Sequence, residues 1–385
     1  MPIRIRVALS AAILLLIAAS AARAESPAKS LAAIRAVGPR GEGHAAAVAA
    51  VKELQRSDAA ALLPILRAFR DANPLAANWL TGAFESIAGR ALKSGGALPV
   101  AELETFLENR DQSPAARELA YRWVARVDAT VRERLVPDML DDPSPELRRE
   151  AVALFIDRAE RFESEKRPAD ALAAWKRALS GAVHVDQVKR IVQALEPHGE
   201  EVHLPRHFGF ITEWRIVGPF DHAGDKGFDA VYPPEQELDF AKEYAGKTGN
   251  VAWREIATDH DYGLLDIAKS IAPYKGAAMY AVAEFHADAA RDAEIRLGTP
   301  NAWKLWVNGR LLFSREEYHR GMAIDQYRVP VRLQSGANTI LLKICQNEQS
   351  EDWAQSYEFQ LRVCERSGTG LRSVAGERSA SAETR

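Results

Sequence analysis

The spacing of apolar positions changes character once along this chain, near residue 200. Before that point the apolar residues are mostly Ala and Leu and recur every three or four positions, the period of an amphipathic helix. Leu147, Ala151, Leu154, Phe155 and Phe162 mark one helix face, Leu172, Trp175 and Leu179 a second, and Val188, Ile191, Val192 and Leu195 a third. The Ser144-Pro145 step fits the start of the first of these helices, because Ser caps free amides and Pro is tolerated at the first helical position.

From Phe208 the pattern becomes short runs of Val, Ile, Tyr, Phe and Trp between turn residues. Runs at 208–217, 251–256, 279–286, 292–298, 303–307, 310–313, 326–333, 339–345 and 357–364 read as strands at the spacing of a sandwich. Asn308-Gly309 stands between two of them and is the preferred two-residue hairpin turn, since both positions accept positive φ. Of 30 aromatic residues, 21 lie between Arg206 and Glu365, which sharpens the same division.

Two segments of the helical half look related. Asp111-Gln112-Ser113-Pro114-Ala115-Ala116-Arg117 aligns with Asp142-Pro143-Ser144-Pro145-Glu146-Leu147-Arg148, and internal similarity at such a period is the mark of stacked helical pairs. The Asp-x-Ser-Pro-x-x-Arg start resembles HEAT-type repeats, and RPADALAAWKRALSG from Arg167 resembles a tetratricopeptide helix. An irregular helical bundle is the alternative.

In the β half, Trp214-Arg215-Ile216-Val217-Gly218-Pro219-Phe220, Lys226-Gly227-Phe228-Asp229 and Tyr232-Pro233-Pro234-Glu235 precede AEIRLG at Ala293–Gly298. Leu305-Trp306-Val307-Asn308-Gly309-Arg310 and Ser335-Gly336-Ala337-Asn338 follow. Residues 208–364 resemble the accessory β-sandwich domains of planctomycete-type exported proteins, and the later pieces resemble galactose-binding-like jelly rolls. The resemblance implies a fold that serves sugar or protein binding, without choosing between them. Related domains often carry an Asp-Asp-Gly before the hairpin strand. Here the stretch is Thr299-Pro300-Asn301-Ala302, which removes the carboxylates that would hold a calcium ion.

The reading is an α+β multidomain chain, an α-helical repeat domain (HEAT/TPR-like) followed by an antiparallel β-sandwich (jelly roll). Its expected parts are a signal peptide at 1–24, helices at 25–197, a linker at 198–205, the sandwich at 206–365 and a disordered tail at 366–385. Arg4 and Arg6, an uncharged run from Val7 to Ala22, and Ala22-Arg23-Ala24 form the signal peptide and its cleavage pattern. The run is shorter than the ~20 residues of a membrane span. Export to the periplasm or the outside is expected, with no membrane attachment after cleavage.

Loss of Arg4, Arg6 and Arg23 moves the formal net charge from −3 to −6, a poor balance for nucleic acid. Cys345 and Cys364, the only two cysteines, are expected to remain unpaired. If their strands form an antiparallel hairpin, the two lie at opposite ends, beyond the ~7 Å Cα limit of a disulfide.

No catalytic motif emerges. There is no Gly-x-Ser-x-Gly, His-Glu-x-x-His or Cys-x-x-Cys, and the Gly246-Lys247-Thr248 turn lacks the rest of a phosphate loop. His198 and His203 have the wrong spacing for one helix face, and the 221–229 and 259–266 stretches read as acidic turns. No cofactor and no metal is expected.

Trp303 and Trp306 point to opposite faces of a strand, so one belongs in the core and the other is free to be a surface platform, unless the sandwich or the helical domain buries both. Trp303, with Tyr318, Arg320 and Trp353 from flanking loops, is the candidate ligand-binding patch. The chain thus reads as a non-catalytic binding or scaffolding protein. Its helical repeats would take a protein partner, and its sandwich would be a second docking face or a glycan site. Two alternatives stay open: an accessory protein of, or a weak, carbohydrate-active hydrolase using acidic loop residues, and a purely structural role.

Overall fold

The computed structural model describes residues 27–374, so the signal peptide and the last part of the expected tail lie outside the described residues. Contacts divide the chain into two compact units between Ile191 and Val192. The first is helical and the second is built on antiparallel sheets, an α+β organisation. Among the described residues no helix is long and apolar enough to cross a membrane.

The helical unit runs through α1 (27–35), α2 (His44–Leu54), α3 (Leu62–Arg67), α4 (Pro74–Lys93), α5 (Val100–Glu108), α6 (Pro114–Val124), α7 (Val131–Leu135), α8 (Pro145–Ser164), α9 (Pro168–Gly181) and α10 (Val185–Leu195). Proline opens α4, α6, α8 and α9. Asn73 and Ser144 supply the side-chain caps of α4 and α8, whereas Ser113 makes no such bond before α6. On α9 the buried face is Ala171, Ala174, Trp175 and Ala178, with Leu172 and Leu179 at its margin.

The two related Asp-x-Ser-Pro-x-x-Arg segments are physically joined. Arg117 of the first donates from Nη1 and Nη2 to Asp142 of the second, at 2.7 and 2.8 Å, and from Nε to the Leu107 carbonyl at 2.6 Å. Both partners are shut off from solvent. Asp142 also accepts from the Ser144 amide at 2.8 Å, so one carboxylate holds an arginine and shapes the start of α8. Arg148, which aligns with Arg117, donates instead to the Gly181 carbonyl at 2.6 Å.

The second unit contains α11 (Leu204–Phe208), α12 (Ile267–Ser270) and twelve strands. These are β1 (Glu213–Asp221), β2 (Glu243–Gly246), β3 (Gly249–Ala252), β4 (Arg254–Ala257), β5 (Leu265–Asp266), β6 (Ala277–Ala287), β7 (Arg291–Gly298), β8 (Ala302–Val307), β9 (Arg310–Arg315), β10 (Tyr327–Leu333), β11 (Gly336–Gln346) and β12 (Glu358–Cys364). Their orders are β4-β1-β6-β11-β8-β9, β10-β7-β12-β5 and the small ribbon β2-β3.

Period-two alternation puts Met279, Leu305, Ile340, Leu342 and Ile344 of the six-stranded sheet against Ile295, Leu297, Leu361 and Val363 of the four-stranded one, in one apolar core. The opposite face of the six-stranded sheet is covered too. Val217, Phe220, Phe228, Tyr244, Tyr280, Trp306, Leu341 and Cys345 form a second cluster beneath the 222–246 segment.

The Asn308-Gly309 turn forms as its sequence predicts, at φ 51° and 77° between β8 and β9. It also meets a second turn, because Asn308 Nδ2 donates to buried Asn338 Oδ1 at 3.0 Å and Asn308 Oδ1 accepts from the Thr339 amide at 2.9 Å.

Three expectations need correction. The run at 208–217 becomes strand only at Glu213, because Leu204–Phe208 is helical and Gly209, at φ 77°, turns the chain. The strands of Cys345 and Cys364 are not a hairpin. Cys345 is in β11 of one sheet and Cys364 in β12 of the other, and both are buried free thiols. The start of the expected disordered tail is ordered, since Leu371 N bonds Val363 O at 2.9 Å and Arg362 Nη1 reaches Gly368 O at 3.0 Å. Backbones pass so closely there that a Cβ on Gly370 would lie 2.5 Å from Gly209 N.

Removing one partner of a buried pair leaves the other charge without compensation, which typically costs about 3–5 kcal/mol. Asp142→Ala is therefore expected to destabilise the helical unit by that order, read as a lower urea midpoint. An unchanged midpoint would mean that Arg117 finds another partner.

Candidate functional site

Three loops of the β unit meet, those around 221–229, 316–326 and 347–356. Each is fixed by polar contacts that local sequence does not announce. Asp325, at φ 61°, is gripped by Arg296 Nη1 at 2.6 Å and by Arg362 Nε and Nη2, both at 2.6 Å. Burial works against ionisation of this carboxyl, yet the two guanidiniums hold it below the usual carboxylate range. This clamp sets the end of the 316–326 loop against β7 and β12.

The 222–238 segment is fixed by Lys343, wholly buried on the outer face of β11. Its ammonium donates to Phe228 O at 3.0 Å, Ala230 O at 2.7 Å and Glu235 Oε1 at 2.9 Å, and stands over the Tyr232 and Tyr280 rings. All three donors are therefore used.

Between these two anchors, His222 Nε2 and Tyr318 Oη lie 2.9 Å apart, with Asp225 3.5 Å from the same ring nitrogen. His222 is fully buried, and its Nδ1 has no partner. That nitrogen faces Gly227, where an added Cβ would stand 2.8 Å away. Burial pushes the His222 pKa below its ordinary value, against the pull of Asp225 and with the help of Lys343 and Lys247. Burial likewise raises that of Tyr318. Both groups are neutral near pH 7.

Beside Tyr318, His319 Nε2 meets Asn347 Oδ1 at 2.7 Å, and its ring stands at 88° to Trp353 with centroids 5.2 Å apart. Trp353 is 62% exposed. Arg320 lies next to this pair, exposed, with Nη1 on Glu317 at 2.7 Å. Glu348 closes the gap to the first loop by accepting from the Gly224 amide at 3.1 Å.

Tyr318, Arg320 and Trp353 of the expected patch thus lie on loops that meet. Trp303 does not join them. It is 0% exposed, stacked on Phe313 at 4.9 Å and tilted against Tyr327 at 5.0 Å inside the shared core. Trp306 is not a surface platform either, being 8% exposed in the second cluster. The alternation was read correctly, but both faces of this sheet are covered, so opposite faces do not mean inside and outside. His222, His319 and Asn347 were missed, since their meeting depends on three segments far apart in sequence.

The loop that lacks the Asp-Asp-Gly is filled by a neutral network. Asn301 is buried, with Nδ2 on Gln346 Oε1 and Ser356 O, both at 3.1 Å, and Oδ1 on the Glu358 amide at 3.1 Å. Among the described residues no group of three or more His, Cys, Asp and Glu is placed to hold a metal ion.

The acidic turns do not converge. Asp221 lies 3.4 Å from Lys247, Asp229 3.0 Å from Lys304, and Asp266 caps α12 while pairing Lys269 at 2.9 Å. Glu358 stands opposite Asp266 across β12 and β5, and its pKa is raised, first by burial and then by that neighbour.

No protein-family model and no curated protein matches the chain. Among solved structures, it is similar to a β-glucosidase from Kluyveromyces marxianus in complex with glucose, at 10% identity and a TM-score of 0.25, over 44% of this chain and 18% of that one. A selenomethionine-labelled form of that β-glucosidase gives 9% identity and 0.26, over 48% and 21%. An alpha-xylosidase from Xanthomonas citri gives 11% and 0.20, over 40% and 16%. The aligned part is thus about a fifth of those chains or less, and likeness at this level carries no argument.

Two predictions follow from the burial and the electrostatics. Trp303→Ala should destabilise by about 3–5 kcal/mol, as for a core aromatic, and Trp353→Ala by less than about 0.5 kcal/mol. Thermal melts of the two variants test the contrast.

For His222 the folded chain resists protonation, so the unfolded chain binds the proton first as pH falls. Stability should decline as pH drops through the ordinary histidine range near about 6.5 toward the lowered folded value. In His222→Asn that decline, followed by urea unfolding, should be shallower. An identical profile would mean that His222 does not titrate differently on folding.

Proposed function

We propose that this is an exported, non-catalytic binding protein whose β unit is a galactose-binding-like sandwich that takes a glycan at Trp353. The observation that carries the reading is a large aromatic left 62% exposed, braced edge-on by His319, among the loops joined by the His222–Tyr318 contact. A pyranose presents an apolar face of C–H groups and a polar rim, and an exposed indole offers the matching flat surface. Arg320, next in the chain to His319, and Asn347, bonded to His319, are the hydrogen-bonding groups closest at hand for the rim.

The immobilised surroundings favour binding over turnover. His222 is buried and neutral, Tyr318 keeps its proton, and the acidic side chains are spread among separate partners. A hydrolytic reading would have to rest on Asp266 and Glu358, which pair in register across β5 and β12. Asp266 is already engaged with the α12 amide and Lys269, which leaves that reading second.

For the helical unit we adopt a short HEAT-like array as the reading, because Arg117 of one repeat-like segment grips Asp142 of the next. Stacked helical pairs present an extended surface suited to a protein partner.

Affinity electrophoresis of the full-length mature chain through gels containing soluble polysaccharides tests the glycan reading. At least one polysaccharide should retard the wild-type chain, and Trp353→Ala should abolish the retardation without changing the melting temperature. Uniform mobility across a broad panel, or retardation indifferent to Trp353, would sink it.

A further inference from the structure

The helical unit holds a cavity of about 400 Å³ bounded by α6, α8 and α10. Five carboxylates line it, those of Glu118, Glu146, Glu150, Asp157 and Asp186, against the three arginines Arg122, Arg149 and Arg190.

The ion pairs in the wall are shared rather than matched. Arg122 serves Glu118 at 2.7 Å and Glu85 at 3.4 Å. Arg132 on α7, behind the wall, serves Glu150 at 2.6 Å and Asp157 at 2.8 Å. Arg149 is taken up by Asp186 at 2.9 Å and Arg190 by Glu160. Glu146 makes no ion pair among the described residues. A cleft with surplus carboxylates on low-dielectric walls concentrates cations. Consistently, the carboxyl of Glu118 is pushed up by burial and by Glu146 and Glu85, with Arg122 opposing.

A second observation concerns hydrogen bonding rather than charge. Gln187 lines the same cavity and is only 7% exposed. Its Nε2 donates to the Arg149 carbonyl at 2.9 Å, but its Oε1 is buried in the wall without a partner. Buried carbonyl oxygens are nearly always paired, and an orphan is costly. A group that completes this wall brings an N–H donor to that oxygen and positive charge to the surplus carboxylates. An ammonium or guanidinium group has donors, positive charge and no acceptor, whereas a sugar or an acidic side chain does not match on charge.

We propose that this cavity binds a lysine or arginine side chain presented by an extended segment of a protein partner. The basic head would lie between Glu118 and Glu146 and donate to Gln187 Oε1. This rests on the reading of the helical unit as the partner-binding half and names the chemistry of that partner. It is independent of the glycan site, because none of these residues belongs to the β unit.

The test is fluorescence polarisation of the full-length mature chain with a labelled Gly-Arg-Gly-Lys-Gly peptide, alongside its Glu-for-basic and Gln-for-basic counterparts. The basic peptide should bind more tightly as salt is lowered, and the acidic one should not bind. Glu118→Gln with Glu146→Gln should weaken binding by about tenfold or more, as truncation of rim and buried charges does. Gln187→Leu, of similar volume, should weaken it severalfold with an unchanged melting temperature.

Glu42→Gln with Glu102→Gln, on exposed positions of the same unit, removes equal charge and should leave affinity intact. Equal binding of the acidic peptide, an equal loss in that control, or no binding at low salt would each overturn the proposal. Spermidine binding as tightly as the peptide would also overturn it, in favour of a free polyamine. Glycan retardation should be the same in all these variants, so failure here is distinct from failure of the Trp353 site.

Discussion

A fully buried ammonium group organises the β unit. Lys343 points from the middle of β11 to the outer face of the six-stranded sheet, where a charge taken from water costs several kcal/mol unless every donor is satisfied. The acceptors are the carbonyls of Phe228 and Ala230 and the carboxylate of Glu235, all in one covering segment. Glu235 also accepts from Tyr280 Oη, tying the cover to β6 as well. These bonds tie the cover to the sheet, and it hides Trp306, Tyr280 and Cys345 beneath it. Because His222 stands at the start of that segment and meets Tyr318, the same ammonium locates one side of the place where the three loops meet.

The rest of the structure repeats this device with arginines. Arg296 and Arg362 hold Asp325 at the end of the 316–326 loop, and Arg362 also holds Phe208 O and Gly368 O, so the segments before β1 and after β12 share one clamp with the loop. In the helical unit Arg117 and Asp142 do the same between α6 and the segment leading into α8. Buried ion pairs are weak evidence for stability as such, but directional, multi-donor ones restrict where a segment can lie. The contrast with the cavity lined by Glu118 and Gln187 is instructive. There the carboxylates of the lining outnumber its arginines and an amide oxygen is unpaired, whereas each clamp has its donors and acceptors matched.

Much of the architecture was legible because it follows from periods and turns. Helical spacing before residue 200, strand runs after it and the Asn308-Gly309 hairpin are local consequences of side-chain size and φ preference. That Arg117 of one Asp-x-Ser-Pro-x-x-Arg segment reaches Asp142 of the other was not legible, since it depends on how two helices pack. Strands β2 and β5 escaped notice, being short and without an apolar pattern of their own. The ordering of residues 366–374 escaped too, since their composition is polar and their hold is backbone pairing against β12 and β6.

The candidate site divides along the same line. Tyr318, Arg320 and Trp353 could be chosen from sequence as polar-tipped or aromatic residues in loops beside strands, and the fold brings their loops together. Trp303 and Trp306 could not be sorted, because alternation says which face a residue takes and nothing about whether that face is covered. Only the fold placed a second layer over the six-stranded sheet and buried both. His222, His319, Asn347 and Gln187 acquired meaning in the same way. Short-range pattern determines helices, strands and turns, whereas burial, charge balance and an unpaired carbonyl depend on which distant segments meet.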